Sequence, residues 1–274
     1  MRSTQLALAE HPFSTANLLL VLGACAAAVV LLMVVTALIG RAQGRVAVVD
    51  TAWPLGFLVI AVVASALGDG VWWRKVLVFV LVAVWAGRLA WHVSSRNKGK
   101  GEDPRYEKLL SAVPEDKRFQ YAVVRVFITQ GVAMWFVSLP VQVSATTGDG
   151  VWWIAVVGAV VWAVGLWFES TGDRQLKEFK ADPANKGKVM DKGLWAYTRH
   201  PNYFGDFTVW WGLYLVACTT WQGALTILSP AAMAFFLIVA TGGRLLEREM
   251  AKRPGYPEYQ QRTSFFIPRP PKSA

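Results

Sequence analysis

The chain has 274 residues, 54% of them hydrophobic and 14 of them tryptophan, with a formal net charge of +10 and a mean hydropathy of +0.36. Cut into apolar runs of about 20 residues, that composition excludes a soluble globular core and describes a polytopic helical membrane protein. Two cysteines, both inside apolar runs, exclude a disulfide framework, and three histidines that never pair at helical spacing exclude a metal or haem ligand set.

In chain order, residues 1–16 form an N-terminal extension. Its Glu10, His11 and Pro12 do not resemble a cleavable signal peptide. Seven helical spans follow, at 17–40, 47–67, 73–93, 119–143, 151–172, 203–220 and 222–243. Trp72, Trp73, Trp152 and Trp153 stand at span ends, as an interfacial aromatic belt does. Arg244-Leu-Leu-Glu-Arg248 and Tyr256-Pro-Glu-Tyr259 read as a short amphipathic helix on the membrane surface. Residues 264–274 are expected to be a flexible tail. Residues 1–274 together read as a single membrane-embedded domain without internal repeats.

Positive charge orients the spans. Segments 41–46, 94–118, 173–202 and 244–274 hold 23 of the 28 Lys and Arg residues, against Arg2, Arg74 and Lys75 on the other side. The positive-inside rule therefore places the N-terminus outside and the C-terminus in the cytoplasm. The net charge needs no nucleic-acid partner, because anionic lipid and a phosphorylated ligand at the cytoplasmic face account for it.

With that orientation, Asp50, Arg88, His92, Arg125, Glu169 and Asp206 all fall in the cytoplasmic half of the bilayer. A charge at depth costs roughly 2.5–3.5 kcal/mol on insertion scales, so such residues should face one another or a wet cavity. Arg88 and Glu169 could instead snorkel to the interface. Glu169, Asp173, Lys177 and Lys180 share one helix face. An ion-pair face is the simple reading for Lys177, whereas the two acids at the membrane edge could hold a ribose hydroxyl or an amide.

The densest polar segment is Gly193-Leu-Trp-Ala-Tyr-Thr-Arg-His-Pro-Asn-Tyr-Phe-Gly-Asp206. Arg199 and His200 can hold phosphate, and a helix starting near Pro201 would aim free N–H groups at the same anion. Asn202 and Asp206 are more than headgroup anchoring requires. Arg244 and Arg248, four residues apart, could add to a phosphate clamp. The loop Arg96-Asn-Lys-Gly-Lys-Gly-Glu-Asp-Pro-Arg-Tyr106 suits a lid or wall of that site.

From Asp50 onward the chain resembles the steroid 5-alpha-reductase-like membrane enzymes, in particular their bacterial branch long catalogued as a domain of unknown function. The resemblance lies in Val-Val-Asp50-Thr-Ala-Trp53, Arg88-Leu-Ala-Trp-His92 with Glu-Asp-Pro-Arg-Tyr106, Glu169-x-x-x-Asp173 and, most specifically, the 193–206 motif. It implies a seven-helix fold in a bacterial inner membrane, with an active site facing the cytoplasm. The implied activity is NADPH-dependent reduction of a carbon–carbon double bond conjugated to a ketone, on a lipid-like substrate. It places Glu169, Asp173, Lys180, Asn202, Asp206, Arg244 and Arg248 around the cofactor, with Tyr197, Arg199, His200 and Tyr203 in the same motif. Asp50 falls where steroid reductases have a glutamate that grips the substrate carbonyl, and His92 where they have a tyrosine. These two departures mean that the resemblance carries the chemistry further than it carries steroid specificity.

Hydride attack on the β-carbon of an enone pushes charge onto the carbonyl oxygen, and a donor placed there stabilises the enolate. His92 as imidazolium, or Asp50 if burial keeps it protonated, could be that donor. The rival is a membrane methyltransferase of the isoprenylcysteine or phospholipid type, which shares an Arg-His-Pro-x-Tyr motif but binds S-adenosylmethionine. Here Glu247-Arg-Glu249 nearly matches the Glu-Glu pair of that class. A transporter would show broken helices or inverted repeats at mid-membrane, and the sequence has neither.

Overall fold

The computed structural model describes residues 13–240 and 242–272. Residues 1–12 of the expected N-terminal extension, Thr241, Ser273 and Ala274 lie outside the described residues. The described residues form helices and no strands. Six helical runs are long and apolar enough to cross a membrane, so the chain is built as an integral membrane protein. The expected span at 203–220 is occupied by the helix Pro201–Ala217. Its 17 residues extend about 26 Å, short of the ~30 Å hydrocarbon core. Contacts divide the chain into two compact units, Met1–Val151 with Ala217–Ala224 and Trp152–Val216 with Leu225–Ala274.

In the first unit, α1 (Thr15–Gln43) is apolar on all sides, as a lipid-immersed helix is. Ser14 Oγ accepts from Asn17 N to cap its start. Gly44, at φ 63°, stops it with the paired bonds Arg45 N to Gly40 O and Gly44 N to Arg41 O. α2 (Val48–Leu67) and α3 (Trp72–Asn97) pack against each other and bury Phe57, Ile60, Val82 and Trp85. The Phe57 ring meets the Trp53 and Trp85 rings edge-on, with centroids 5.1 and 5.6 Å away. α4 (Pro104–Leu110) lies in the loop beyond. Two apolar stretches complete the unit: α5 (Glu115–Val137), which is π-wound over Val123–Ile128, and α6 (Leu139–Ser144).

Arg74 enters the sequence reading only as an outside charge, but its side chain is fully buried. Its guanidinium donates to Ser144 O at 3.1 Å, Thr219 Oγ1 at 3.0 Å, Thr147 Oγ1 at 2.7 Å and Gly148 O at 2.6 Å, and also to Thr147 O. A buried cation is tolerated here because each of its three nitrogens meets a carbonyl or a hydroxyl.

The second unit is built on α7 (Trp152–Ala181) and, after the short α8 (Leu194–Tyr197), on α9 (Pro201–Ala217). Gly158, Gly165 and Gly172 recur every seven residues on α7, as Gly205 and Gly212 do on α9. A methyl group on Gly165, Gly205 or Gly212 would sit 2.5, 2.3 or 2.5 Å from a backbone nitrogen of the facing helix. The backbones are therefore in direct contact, which only this small-residue seam allows. α10 (Leu228–Phe235), α11 (Gly243–Met250) and α12 (Tyr256–Arg262) follow.

The segment expected to be a flexible tail is instead docked along the 193–206 motif. Arg269 N donates to Tyr197 O at 3.0 Å, Arg199 N to Ser264 O at 2.9 Å and Thr198 Oγ1 to Phe266 O at 2.8 Å. Phe265 and Phe266 then pack on His200, Phe204 and Phe207. The driving force is aromatic burial, a signal masked in the sequence by the prolines around Arg269.

Candidate functional site

Asp50 opens α2 four residues before Pro54. The proline has no N–H, so the Asp50 carbonyl loses its helical donor and the first turn is loosened at that point. The loop 98–103 is tied down over this turn by Glu102, which accepts from Val46 N and, at 2.9 Å, from Ala47 N. That contact delivers Arg105 and Tyr106 to the Asp50 carboxylate. Tyr106 Oη donates to Oδ1 at 2.6 Å and Arg105 Nη2 to Oδ2 at 2.9 Å. Gln130 Nε2 donates to Tyr106 Oη at 3.3 Å, and Arg105 also grips Asp103 through Nε and Nη2 at 2.9 and 3.0 Å. Burial and the adjoining Asp50 charge push the Tyr106 phenol well above its usual range, so it stays protonated. The hydrogen bond from Arg105 holds the Asp103 carboxyl below its ordinary value.

His92 is half-buried five residues before the end of α3, and Arg88 lies one turn earlier. Arg125 is exposed, with its guanidinium 5.9 Å from the Tyr121 ring centre. It does not line the cavities described below, so the expectation that it faces a shared polar pocket is not met.

In the second unit the 193–206 motif forms a tight knot. Leu194 N donates to Gln175 Oε1 at 3.0 Å and Trp195 Nε1 to Gly172 O at 3.1 Å, fixing α8 on α7. Asn202 Nδ2 donates to Asp173 Oδ1 at 3.1 Å, so these two expected cofactor residues meet. Glu169 and Asp206 are both buried; the Gly205 backbone next to Asp206 lies against Glu169 N. His200 is buried, stacked on Tyr203 at 5.5 Å and edge-on to Phe265 at 5.3 Å.

The centre of the knot is Glu247. Arg199 Nε donates to one of its oxygens and Nη2 to the other at 2.9 Å, a bidentate pair. His200 Nε2 lies 3.2 Å from Oε1, and Gln260 Nε2 donates to Oε2 at 3.1 Å. Arg199 Nη1 is also committed, to Thr263 O and, at 2.9 Å, to Gln260 O. The guanidinium that reads in sequence as a phosphate ligand thus spends four of its five N–H groups inside the protein. Arg244 and Arg248 on α11 are exposed, while Glu247 between them is turned into the knot.

Beside Arg199 and His200 lies a cavity of about 480 Å³. Trp195, Tyr256 and Tyr259 supply aromatic wall, and Lys180, Lys188 and Arg253 supply cations. Burial keeps both tyrosines protonated, and Tyr259 Oη donates to Trp195 O. Tyr197 is half-exposed and contributes its carbonyl to the docked tail.

Sequence reasoning missed Glu247 and Gln130 as partners and left Arg105 and Tyr106 as possible lid residues. The available signal was an acid–Pro–Arg–Tyr run following two loop glycines.

Residues 17–263 match the family model described as "Protein of unknown function (DUF1295)". A stretch of 53 residues is 45% identical to a probable O-methyltransferase (ustE) of Ustilaginoidea virens, covering 19% of this chain and 18% of that protein. Steroid 5-alpha-reductases (DET2) of Arabidopsis thaliana and Gossypium hirsutum are 35% identical over 77 residues and 30% over 107. Those stretches cover 28% and 39% of this chain and 29% and 37% of the relatives. The chain therefore spans less than two fifths of the length of each of these three relatives. No solved structure matches significantly.

Proposed function

The chain belongs to the family described as protein of unknown function DUF1295, and from that membership we propose an NADPH-dependent reductase of the conjugated C=C bond in a lipid-like enone. The observation that carries the reading is the basic, aromatic-walled cavity beside Arg199 and His200. Its cations suit the phosphates of a dinucleotide and its rings suit a base, so the residues present fit the group. Stretches of likeness to two steroid 5-alpha-reductases support the same class of reaction.

In this reading Lys180 and His200 face the cofactor from the cavity. Glu169, Asp173, Asn202, Tyr203 and Asp206 supply acceptors and donors from the α7–α9 seam, with Tyr197, Arg244 and Arg248 at the rim. Arg199 acts through Glu247 as a positioning residue that keeps α11 and the docked tail in place. When bound, NADPH supplies the hydride. In the first unit Asp50 and His92 meet the substrate carbonyl, where negative charge develops as the β-carbon is attacked. His92 gives its ring proton to that oxygen, Asp50 acts through the Tyr106 hydroxyl that it orients as a second donor, and the enol so formed takes its α-carbon proton from water. A substrate drawn from the bilayer needs no aqueous entrance.

A second reading, an S-adenosylmethionine-dependent membrane methyltransferase, is favoured by the 45% identical stretch and by the place of Glu247 next to His200. Detergent-purified protein titrated with NADPH and S-adenosylmethionine side by side separates the two. Binding of S-adenosylmethionine without NADPH overturns the reductase. Enone-dependent oxidation of NADPH, lost in Asp50→Asn and His92→Phe with cofactor affinity intact, is the expected outcome. The cytoplasmic placement of the site is tested by reporters. One fused after Ala274 should be cytoplasmic and one inserted at Asp149 external, and finding both on one side removes the proposed orientation.

A further inference from the structure

Two cavities of the first unit take no part in the proposed reaction, and they adjoin. One, of about 470 Å³, is a slot between α1 and α5, walled by Val29, Met33, Val34, Phe127, Val132 and Trp135. Its named lining is apolar throughout. At one end Trp135 Nε1 donates to Leu22 O at 3.0 Å, closing the slot. From Ala26 to Ala37, both on its wall, it runs about 16 Å at 1.5 Å per residue. The second cavity, of about 560 Å³, lies where α1 ends and includes Arg41, Arg45, Arg118, Glu102, Glu115 and Phe127. Phe127 lines both, so the apolar slot and the charged pocket border the same ring.

Three acids line the charged pocket: Glu102 and Glu115 are committed, and Glu107 is exposed. Glu102 accepts from Val46 N, Ala47 N and Asp103 N, and Glu115 accepts from Arg118 Nη1 at 3.2 Å. The arginines are less so, although Arg118 gives Nη1 to Glu115. Arg45 Nε and Arg118 Nε are buried and make no hydrogen bond, while Arg41 rests on the Phe119 ring at 5.1 Å. Buried guanidinium N–H groups without acceptors are costly, and what they lack is an acceptor-rich anion. An apolar slot bordering such donors has the polarity profile of an anionic amphiphile.

We propose that the first unit binds one anionic glycerophospholipid, with an acyl chain in the α1–α5 slot and its phosphate at Arg45 and Arg118. Neither Asp50 nor His92 lines either cavity, so this lipid is a bound companion and not the substrate. The site holds α1 against α5 and couples the seating of the Glu102 loop to the lipid around the protein.

The test uses the full chain in detergent, delipidated, with dioleoyl phosphatidylglycerol, dioleoyl phosphatidylcholine or inorganic phosphate added. Thermal unfolding and native mass spectrometry are the readouts. Phosphatidylglycerol should raise the melting temperature, be retained as one molecule per chain, and bind about tenfold more tightly than phosphatidylcholine, given charge-assisted bonds to two donors. The double variant Arg45→Gln/Arg118→Gln should lose that preference while still binding both lipids. Val34→Trp, or Val132→Trp on the facing helix should the first not fold, fills the slot and should abolish retention of both. Three results overturn the proposal: equal affinity for the two lipids in the unaltered protein, an unchanged preference in the double variant, or a stabilisation reproduced by phosphate alone.

Discussion

Asp50 and Glu247 are each a carboxylate bound by an arginine and a tyrosine hydroxyl (Tyr106 and Tyr256), with an amide that reaches the tyrosine in the first cluster and the carboxylate itself in the second, but the two clusters are built for opposite ends. Around Asp50 the arginine is 56% exposed; around Glu247 it is 10% exposed. Arg105 reaches Asp50 with one nitrogen and shares itself with Asp103, whereas Arg199 takes both oxygens of Glu247 and two backbone carbonyls besides. The first cluster can trade a protein partner for a ligand at small cost. The second has little left to trade and acts as a joint between the motif, α11 and the tail. The carboxylates themselves are exposed alike, at 15% and 13%; it is the exposure of the partner arginine that separates the cluster open to a substrate from the one that holds the fold.

The sharpest way to break that contrast is Glu247→Ala, which leaves Arg199 and His200 buried without their acid. A loss of about 3–5 kcal/mol in unfolding free energy is expected, read by denaturant titration in detergent. Arg199→Lys should fall short of rescue, because one ammonium cannot replace a two-pronged contact. A loss near zero would make this cluster as exchangeable as the other. Next comes Gly205→Ala, which forces a methyl into the α7 backbone and should cost about 1–3 kcal/mol while leaving the first unit's spectroscopic signals unchanged. At Asp50 the order reverses. Arg105→Ala should change stability by no more than about 1 kcal/mol, as half-exposed pairs do. Asp50→Asn should slow enone reduction by roughly 10²–10³ with the melting temperature little altered, the signature of a group used as charge develops. The smallest effect concerns pH. Because Arg105 depresses the Asp103 carboxyl, that group's contribution is fully present above the ordinary carboxylate range and is lost as the pH falls through its lowered value. Melting curves of the unaltered protein and Asp103→Asn should therefore converge on acidification.

The helices were legible in the sequence because lipid demands long apolar runs, and the expected boundaries at 47–67 and 151–172 stand close to Val48–Leu67 and the start of Trp152–Ala181. The resemblance put Asn202 and Asp173 around one cofactor and their side chains do meet, although one opens its helix and the other lies inside a different one. What could not be read was which charge answers which. Asp50 meets residues 55 and 56 positions away and Arg199 one 48 positions away, distances over which no periodicity survives. Arg199 looked like a ligand for phosphate because its partner lies beyond two intervening apolar runs, in the segment 244–274. Arg74 was counted toward topology for the same reason, its acceptors being neutral backbone that no composition reveals.

That arginine also sets a schedule. Thr219, one of its acceptors, is 145 residues further along the chain. At the ~5–20 residues per second of synthesis, Arg74 waits roughly 7–30 s before its last partner exists. Until then Arg74 has only its acceptors at residues 144–148, and its Nη1 is left without Thr219. The hub is therefore a late checkpoint on membrane assembly, and α3 can settle to its final depth only once the chain has come back to the same face with Thr219.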